Sequence, residues 1–138
     1  YIVPLGKARI ARAGSDLTIA TYGQNVYHCL QAADRLAEKG HQVEVIDLRS
    51  LRPLDEESLV NSVKKTNRFL VVNEAPRTCG FAGEVVARIN EIAFEYLDAP
   101  ALRITRMDTP VPWVEPLEHF VLPSVEQIER TALRLIQY

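Results

Sequence analysis

The 138-residue sequence has few cysteines and no long apolar run, and each shortage excludes a class of protein. Its two cysteines, Cys29 and Cys79, are too few for a disulfide framework and match no zinc-binding spacing. No segment approaches the ~20 apolar residues of a membrane span, and no signal-peptide pattern is present. A net charge of −2 with dispersed basic residues gives no footprint for nucleic acid. We expect no membrane or nucleic-acid partner, and a reducing, cytosol-like compartment.

What the chain does contain is the pattern of one α/β domain over residues 1–138. Hydrophobic content of 47% and charged content of 25% are ordinary for a globular protein with its own core. Short β-branched runs alternate with helical patterns four times, which predicts a three-layer α/β/α sandwich with a mostly parallel sheet. Strands are predicted at 17–22, 43–47, 69–72 and 102–106, with a possible edge strand at 7–12; helices are predicted at 25–39, after Asp55, at 81–96 and after Ser124.

The stretch 69–96 is the first candidate for a ligand site. A buried strand, a polar turn at 73–80 and a helix form the unit that places ligands at strand ends in open α/β sheets. Gly80 and Gly83 stand at the helix start, but the dinucleotide and P-loop fingerprints are both absent. The apolar arc of this helix is too wide for one sheet face. We therefore expect it to pack on a second surface as well.

Charged residues follow two predicted strands: Asp47 and Arg49 after one, Glu74 and Arg77 after another. We expect them to gather at the carboxyl ends of neighbouring strands. Arg49, Glu74 and Arg77 could then bind an anion, as in a stand-alone small-anion-binding module. Structural ion pairs or an interface are the preferred interpretation, because no His, Lys or Ser completes an acid–base pair there.

The three histidines indicate no catalytic centre. His28 adjoins Cys29 on a predicted helix, but sequence neighbours on a helix point about 100° apart and rarely form a nucleophile pair. His41 follows a helix-ending glycine, and His119 lies in the proline-rich segment 108–123, which is predicted to be irregular.

Several motifs occur along the chain in a fixed order: TIATYG at 18–23, VIDLRSLRPLD at 45–55, NEAPRTCGFAGEVVARI at 73–89, LDAPALRIT at 97–105 and DTPVPW at 108–113. Together they resemble the C-terminal domain of the beta subunit of 2-oxo acid dehydrogenases, the thiamine-diphosphate-dependent first component of those complexes. Residues 1–10 resemble the connector from that subunit's N-terminal pyrimidine-binding domain. The runs at 74–84 and 108–113 are more similar to the branched-chain than to the pyruvate enzymes.

The resemblance implies a transketolase C-terminal fold, with a mixed five-stranded sheet that has one antiparallel strand. It implies a role in an enzyme that oxidatively decarboxylates a 2-oxo acid and acylates the lipoyl group of an acyltransferase core. In that family thiamine diphosphate and Mg²⁺ are held by the alpha subunit, and a catalytic histidine lies in the N-terminal domain of the beta subunit. No position here matches those residues, so no catalytic, cofactor-binding or metal residue is assigned and the isolated fragment is predicted to be inactive. The implied compartment is the bacterial cytoplasm, or the mitochondrial matrix in a eukaryote.

The implied partners are a second beta subunit, the alpha subunit and the peripheral binding domain of the lipoyl acyltransferase. Large apolar groups dominate protein interfaces, so we expect Phe94, Trp113 and Phe120 to join two copies of the domain. The acids Glu95 and Asp98, with the terminal carboxylate of Tyr138, would suit a basic docking partner.

Overall fold

The computed structural model describes all residues, 1–138, as five strands and five α-helices. The strands are β1 (Arg9–Arg12), β2 (Leu17–Thr21), β3 (Val43–Asp47), β4 (Phe69–Pro76) and β5 (Leu102–Arg106). The helices are α1 (Asn25–Glu38), α2 (Glu56–Thr66), α3 (Phe81–Ala93), α4 (Glu115–Val121) and α5 (Val125–Ile136), and a 3₁₀ turn, Phe94–Tyr96, follows α3.

The strands form one sheet in the order β1-β3-β2-β4-β5. Strands β2 to β5 run parallel, with Leu17 opposite Val43 and Thr18 opposite Phe69, while β1 is antiparallel to β3 at one edge. The prediction of a mixed, mostly parallel five-stranded sheet is confirmed. The direction in which the chain adds strands reverses between β2 and β4, and such switch points are where open α/β sheets leave a crevice.

Helices cover both faces of this sheet, which confirms the three-layer sandwich. Alternate residues of the central strands, such as Ile19 and Val72, lie in one buried cluster with α1 and α5. The intervening residues, such as Ala20 and Val71, lie in a second cluster with α2 and α3. Two core layers on a doubly covered sheet explain why the central strands are apolar on both faces.

Side-chain caps begin two helices where the sequence predicts them. Asp55 accepts a hydrogen bond from the Ser58 amide at 3.2 Å. Ser124 accepts one from the Gln127 amide at 3.1 Å. Each cap gives a partner to an N–H group that the first turn of the helix leaves free.

Four expectations about the elements need correction. Strand β4 continues to Pro76 instead of ending at 72, because its far half pairs with β5 past a register shift. Helix α3 ends at Ala93, where the chain tightens into the 3₁₀ turn. Segment 108–123 contains α4, and its Pro116 fits there because the first helical turn needs no donor from proline. On α1 the apolar spacing predicts a buried face of Val26, Leu30, Ala33 and Ala37; Val26 and Ala33 are buried, but Leu30 and Ala37 are only partly buried. The buried face turns instead toward Cys29, Ala32 and Leu36.

Candidate functional site

The largest cleft lies at the carboxyl edge of the sheet, beside the switch point between β2 and β4. It measures about 490 Å³. Its polar lining comes from Gln24 and His28 of the α1 end, Glu74 of β4, Glu118 and His119 of α4, and Glu126 of α5. The cleft therefore brings together two of the three histidines and three carboxylates.

The cleft contains no activated nucleophile. His28 shares a hydrogen bond of 3.3 Å with the side chain of Asn25, and the neighbouring Cys29 lies buried beneath the helix. Burial raises the pKa of the Cys29 thiol to about 12, and a hydrogen bond with Thr21 lowers it by less. Because the thiolate is the nucleophile, Cys29 is inert at neutral pH. No group of three or more His, Cys, Asp or Glu residues is arranged to hold a metal ion.

The four charged residues expected at neighbouring strand ends are divided between two places. Strand β2 lies between β3 and β4, so the expectation that these strand ends are neighbours is wrong. Arg49 forms an ion pair of 4.0 Å with Asp47 and donates to the Tyr1 hydroxyl at 2.9 Å. Glu74 lines the large cleft, whereas Arg77 lies in a separate cavity with residues of β5.

A buried carboxylate that sequence reasoning missed lies on the α2 face of the sheet. Glu44 is only 1% exposed, and its oxygens accept hydrogen bonds from the Ser62 hydroxyl and the Lys65 ammonium, both at 2.5 Å, and from the Gly14 amide at 3.2 Å. Burial alone would raise the pKa of Glu44, but these hydrogen bonds together outweigh it, so the pKa is lowered. An acid inside the apolar run 43–46, with polar residues one helical turn apart on α2, is the sequence signal that could have indicated this network.

The three aromatic residues that were expected at an interface lie at opposite ends of the sheet. Phe94, 69% exposed, follows α3 at the amino edge. Trp113, which is fully exposed, and Phe120, 69% exposed, follow β5 and lie beyond the carboxyl edge. Since α3 has 13 residues and rises about 1.5 Å per residue, the two ends are roughly 20 Å apart. We expected one apolar surface here, and the structure has two.

The expected docking residues, Glu95, Asp98 and Tyr138, lie near one another at the amino edge, beside Phe94, which was expected at the contact between two copies. Phe94, Asp98 and Tyr138 line one shallow depression at the amino edge, together with the loop 97–100. Glu95 lines the adjoining depression, which shares Phe94. The Asp98 amide donates to the Asn67 carbonyl at 2.8 Å, which fixes this loop to the end of α2. This amino-edge surface, defined by Phe94, Glu95, Asp98 and Tyr138, therefore combines two aromatic residues with two acids.

The fold is an α/β domain with a five-stranded mixed sheet between helices. Its cleft holds no acid–base pair, so the exposed aromatic residues at the two edges of the sheet are the candidate functional surfaces. The chain belongs to the family described as "Transketolase, C-terminal domain", whose sequence profile matches residues 6–128. This confirms the family that the motifs indicate.

Individual relatives are beta subunits of 2-oxo acid dehydrogenases. The chain is 42% identical over 137 residues to the mitochondrial pyruvate dehydrogenase E1 component subunit beta of Dictyostelium discoideum, covering 99% of this chain and 38% of that protein. It is 48% identical over 124 residues to 2-oxoisovalerate dehydrogenase subunit beta of Pseudomonas aeruginosa, covering 90% of this chain and 35% of that protein. The chain thus spans less than half the length of these relatives.

A solved structure, a split-gene transketolase in an inactive beta4 tetramer, has the same fold. Its TM-score is 0.74 at 22% sequence identity, over 96% of this chain and 42% of that chain. The two folds therefore agree over almost the whole chain. No helix here has both the length and the apolar character that crossing a membrane requires.

Proposed function

We propose that this chain is the C-terminal assembly domain of the beta subunit of a 2-oxo acid dehydrogenase. The full enzyme would oxidatively decarboxylate a 2-oxo acid, either pyruvate or a branched-chain acid, and acylate a lipoyl group. The observation that carries the proposal is identity of 42–48% to beta subunits of two such enzymes. The compartment would be the bacterial cytoplasm, or the mitochondrial matrix in a eukaryote.

The large cleft does not fit thiamine diphosphate with Mg²⁺. Such a group needs oxygen ligands for the metal beside cationic or N–H donors for the phosphates. The large cleft has the carboxylates of Glu74, Glu118 and Glu126 but no lysine or arginine. We propose that the cofactor is held by the alpha subunit and the remainder of the beta subunit, as the family resemblance implies, and we derive no catalytic step from this chain.

Deletion from the full enzyme tests this division of roles. A beta subunit that lacks residues 1–138 should fail to assemble with its alpha subunit and with a second beta subunit, whereas this chain alone should not decarboxylate pyruvate or 2-oxoisovalerate. Sedimentation velocity and a decarboxylation assay measure the two outcomes. A truncated beta subunit that still assembles and turns over normally would contradict the proposal.

The beta–beta contact is proposed at the uncovered aromatic residues, beginning with Phe94. Phe94 is 69% exposed, so its burial by a partner removes apolar area from water and stabilises the complex. Phe94→Asp should therefore reduce the hydrodynamic size of the chain at high concentration. The matched control is Tyr27→Asp, because Tyr27 is equally exposed but lies on α1. A wild-type chain that stays monomeric, or a Phe94→Asp chain of unchanged size, would contradict this contact.

Docking of the peripheral binding domain of the acyltransferase is proposed at the acids of the amino-edge surface. Exposed charges at an interface mainly affect the association rate and its salt dependence. Glu95→Lys with Asp98→Lys should weaken binding to that domain and flatten its dependence on salt, as surface plasmon resonance would measure. Glu38→Lys, on the exposed side of α1, is the control. Equal affinity in all three proteins would remove the docking site from this surface.

A further inference from the structure

We propose that Arg77, Arg103 and Arg106 form a binding site for the phosphate group of a small phosphorylated ligand. The three arginines line one cavity of about 310 Å³ at the carboxyl end of β5, the edge strand. This site is separate from the large cleft and goes beyond the assembly role proposed above. It also differs from the expected cluster of Arg49, Glu74 and Arg77, of which it retains only Arg77.

Two of the guanidinium groups are held in place by backbone carbonyls. Arg103 Nη1 donates to the Arg77 carbonyl at 2.7 Å. Arg106 Nε donates to the Glu74 carbonyl at 3.3 Å, and its Nη1 donates to the Thr109 carbonyl. A guanidinium carries five donors in a rigid fork, so each arginine keeps N–H groups for a ligand. The carbonyls orient the side chains without neutralising their charge.

The carboxylate of Asp108 attracts Arg77 but forms no ion pair with any of the three arginines. None of them takes part in an ion pair, whereas Arg35 and Arg88 each contact two acids. The one acid in the lining is Asp108, whose two oxygens accept hydrogen bonds from the Thr78 amide at 2.9 Å and the Thr78 hydroxyl at 2.6 Å. These hydrogen bonds hold the pKa of Asp108 below its usual value. The cavity therefore has a net positive charge.

The start of α3 adds to this positive potential. Arg103 lies so close to the first turn that a Cβ on Gly83 would meet its Nη1 at 3.0 Å. Free N–H groups and the helix dipole make this end of a helix positive, so a cation there is unfavourable unless an anion accompanies it. The glycine thus permits a close approach between two positive groups, and a bound anion would stabilise both.

A phosphate group fits this chemistry better than a carboxylate. Its oxygens point in several directions, so three guanidinium groups around one cavity can each donate to a different oxygen. A cavity of about 310 Å³ lies at the small end of the range for ligand sites. The ligand we infer is therefore a phosphomonoester or diphosphate with a small organic part.

Titration of the chain with inorganic phosphate and pyrophosphate, at constant ionic strength, tests this site. Chemical shifts of ³¹P and of the backbone amides near Gly83 should report saturable binding. Arg103→Gln and Arg106→Gln should each weaken it at least about tenfold, because each removes a charged hydrogen-bond donor. Arg9→Gln is the matched control, since Arg9 is an exposed, unpaired arginine at the opposite edge of the sheet, and it should bind like the wild type. Urea midpoints of the variants establish that they fold.

Three results would overturn the proposal. The first is failure of pyrophosphate to saturate the wild-type chain. The second is an equal loss of affinity in all three variants, which would indicate only general attraction to a positive surface. The third is binding of succinate as tight as that of pyrophosphate, which would mean that the cavity recognises carboxylates, as an acidic protein segment would present. None of these results affects the contact proposed at Phe94, because Phe94 lies at the other end of the sheet.

Discussion

Glu44 and Trp113 both depart from the usual separation of polar and apolar residues, and they do so in opposite ways. Glu44 is a carboxylate inside the sandwich, 1% exposed, and Trp113 is a large aromatic residue that is fully exposed. Acids are almost never fully buried unless they are paired. The chain supplies every partner of Glu44, and it supplies no cover for Trp113.

This difference distinguishes residues that stabilise the fold from residues that are available to contact another molecule. The hydroxyl groups of Ser62 and Thr66 each lie 2.6 Å from that of Thr18, so the network around Glu44 ties β2, β3 and α2 together. A network whose members are satisfied specifies a unique core and needs no ligand. A fully exposed aromatic residue in the bend before α4 has no such internal explanation. We therefore propose that Glu44 serves stability and that Trp113 serves contact with another molecule.

The largest expected effect is that of Glu44→Ala on stability. We expect the free energy of unfolding to fall by about 2–4 kcal/mol, because the substitution leaves the buried Ser62 hydroxyl without its acceptor and opens a cavity. Lys65 contributes less to the loss, since its side chain is 48% exposed and can hydrate. Urea unfolding gives the value from a shift in midpoint at unchanged slope. Glu57→Ala on the exposed side of α2 is the control. A loss no larger than in that control would mean that the network does not stabilise the fold.

A smaller effect is expected from acid. The folded pKa of Glu44 is lowered, so its contribution to stability is present above the unfolded pKa of about 4.3 and is lost as the pH falls through the folded value. Glu44→Gln should therefore lower stability near neutral pH and reduce the further loss between about pH 4 and 2. Asp55, whose pKa is also lowered, should preserve part of the acid sensitivity. Urea midpoints of the wild type and of Glu44→Gln across that range measure the stability at each pH. An identical pH profile in the two proteins would show that Glu44 does not link stability to pH.

The secondary structure could be predicted from the sequence because its signals are local. The bounds of β3 and β5 and the caps at Asp55 and Ser124 depend on residues within one strand or one helical turn. Helix α4 was missed because four prolines in 108–123 favour an irregular chain, although one of them fits a first turn.

The sites could not be predicted as well, because they depend on the order of strands. The sequence of β2 does not indicate that this strand lies between β3 and β4, because parallel strands in a covered sheet are all similar apolar runs. That order separates Arg49 from Arg77 and places Arg77 beside Arg103 and Arg106. Phe94, Glu95 and Asp98 of the amino-edge surface do lie together, because they are close in sequence; their role there stays a prediction.

Trp113→Ser should have the smallest effect on stability. It is also the most direct test of the contrast between the buried Glu44 and the exposed Trp113. A fully exposed side chain removes no apolar area from water within the chain, so the free energy of unfolding should change by less than about 0.5 kcal/mol. Assembly of the full beta subunit with its partners should weaken in the same variant, as sedimentation velocity would measure, while Trp113→Phe should retain most of it. A stability loss above about 1 kcal/mol would show that Trp113 packs on its own domain in solution. The contrast with Glu44 would then fail, because both residues would serve the fold.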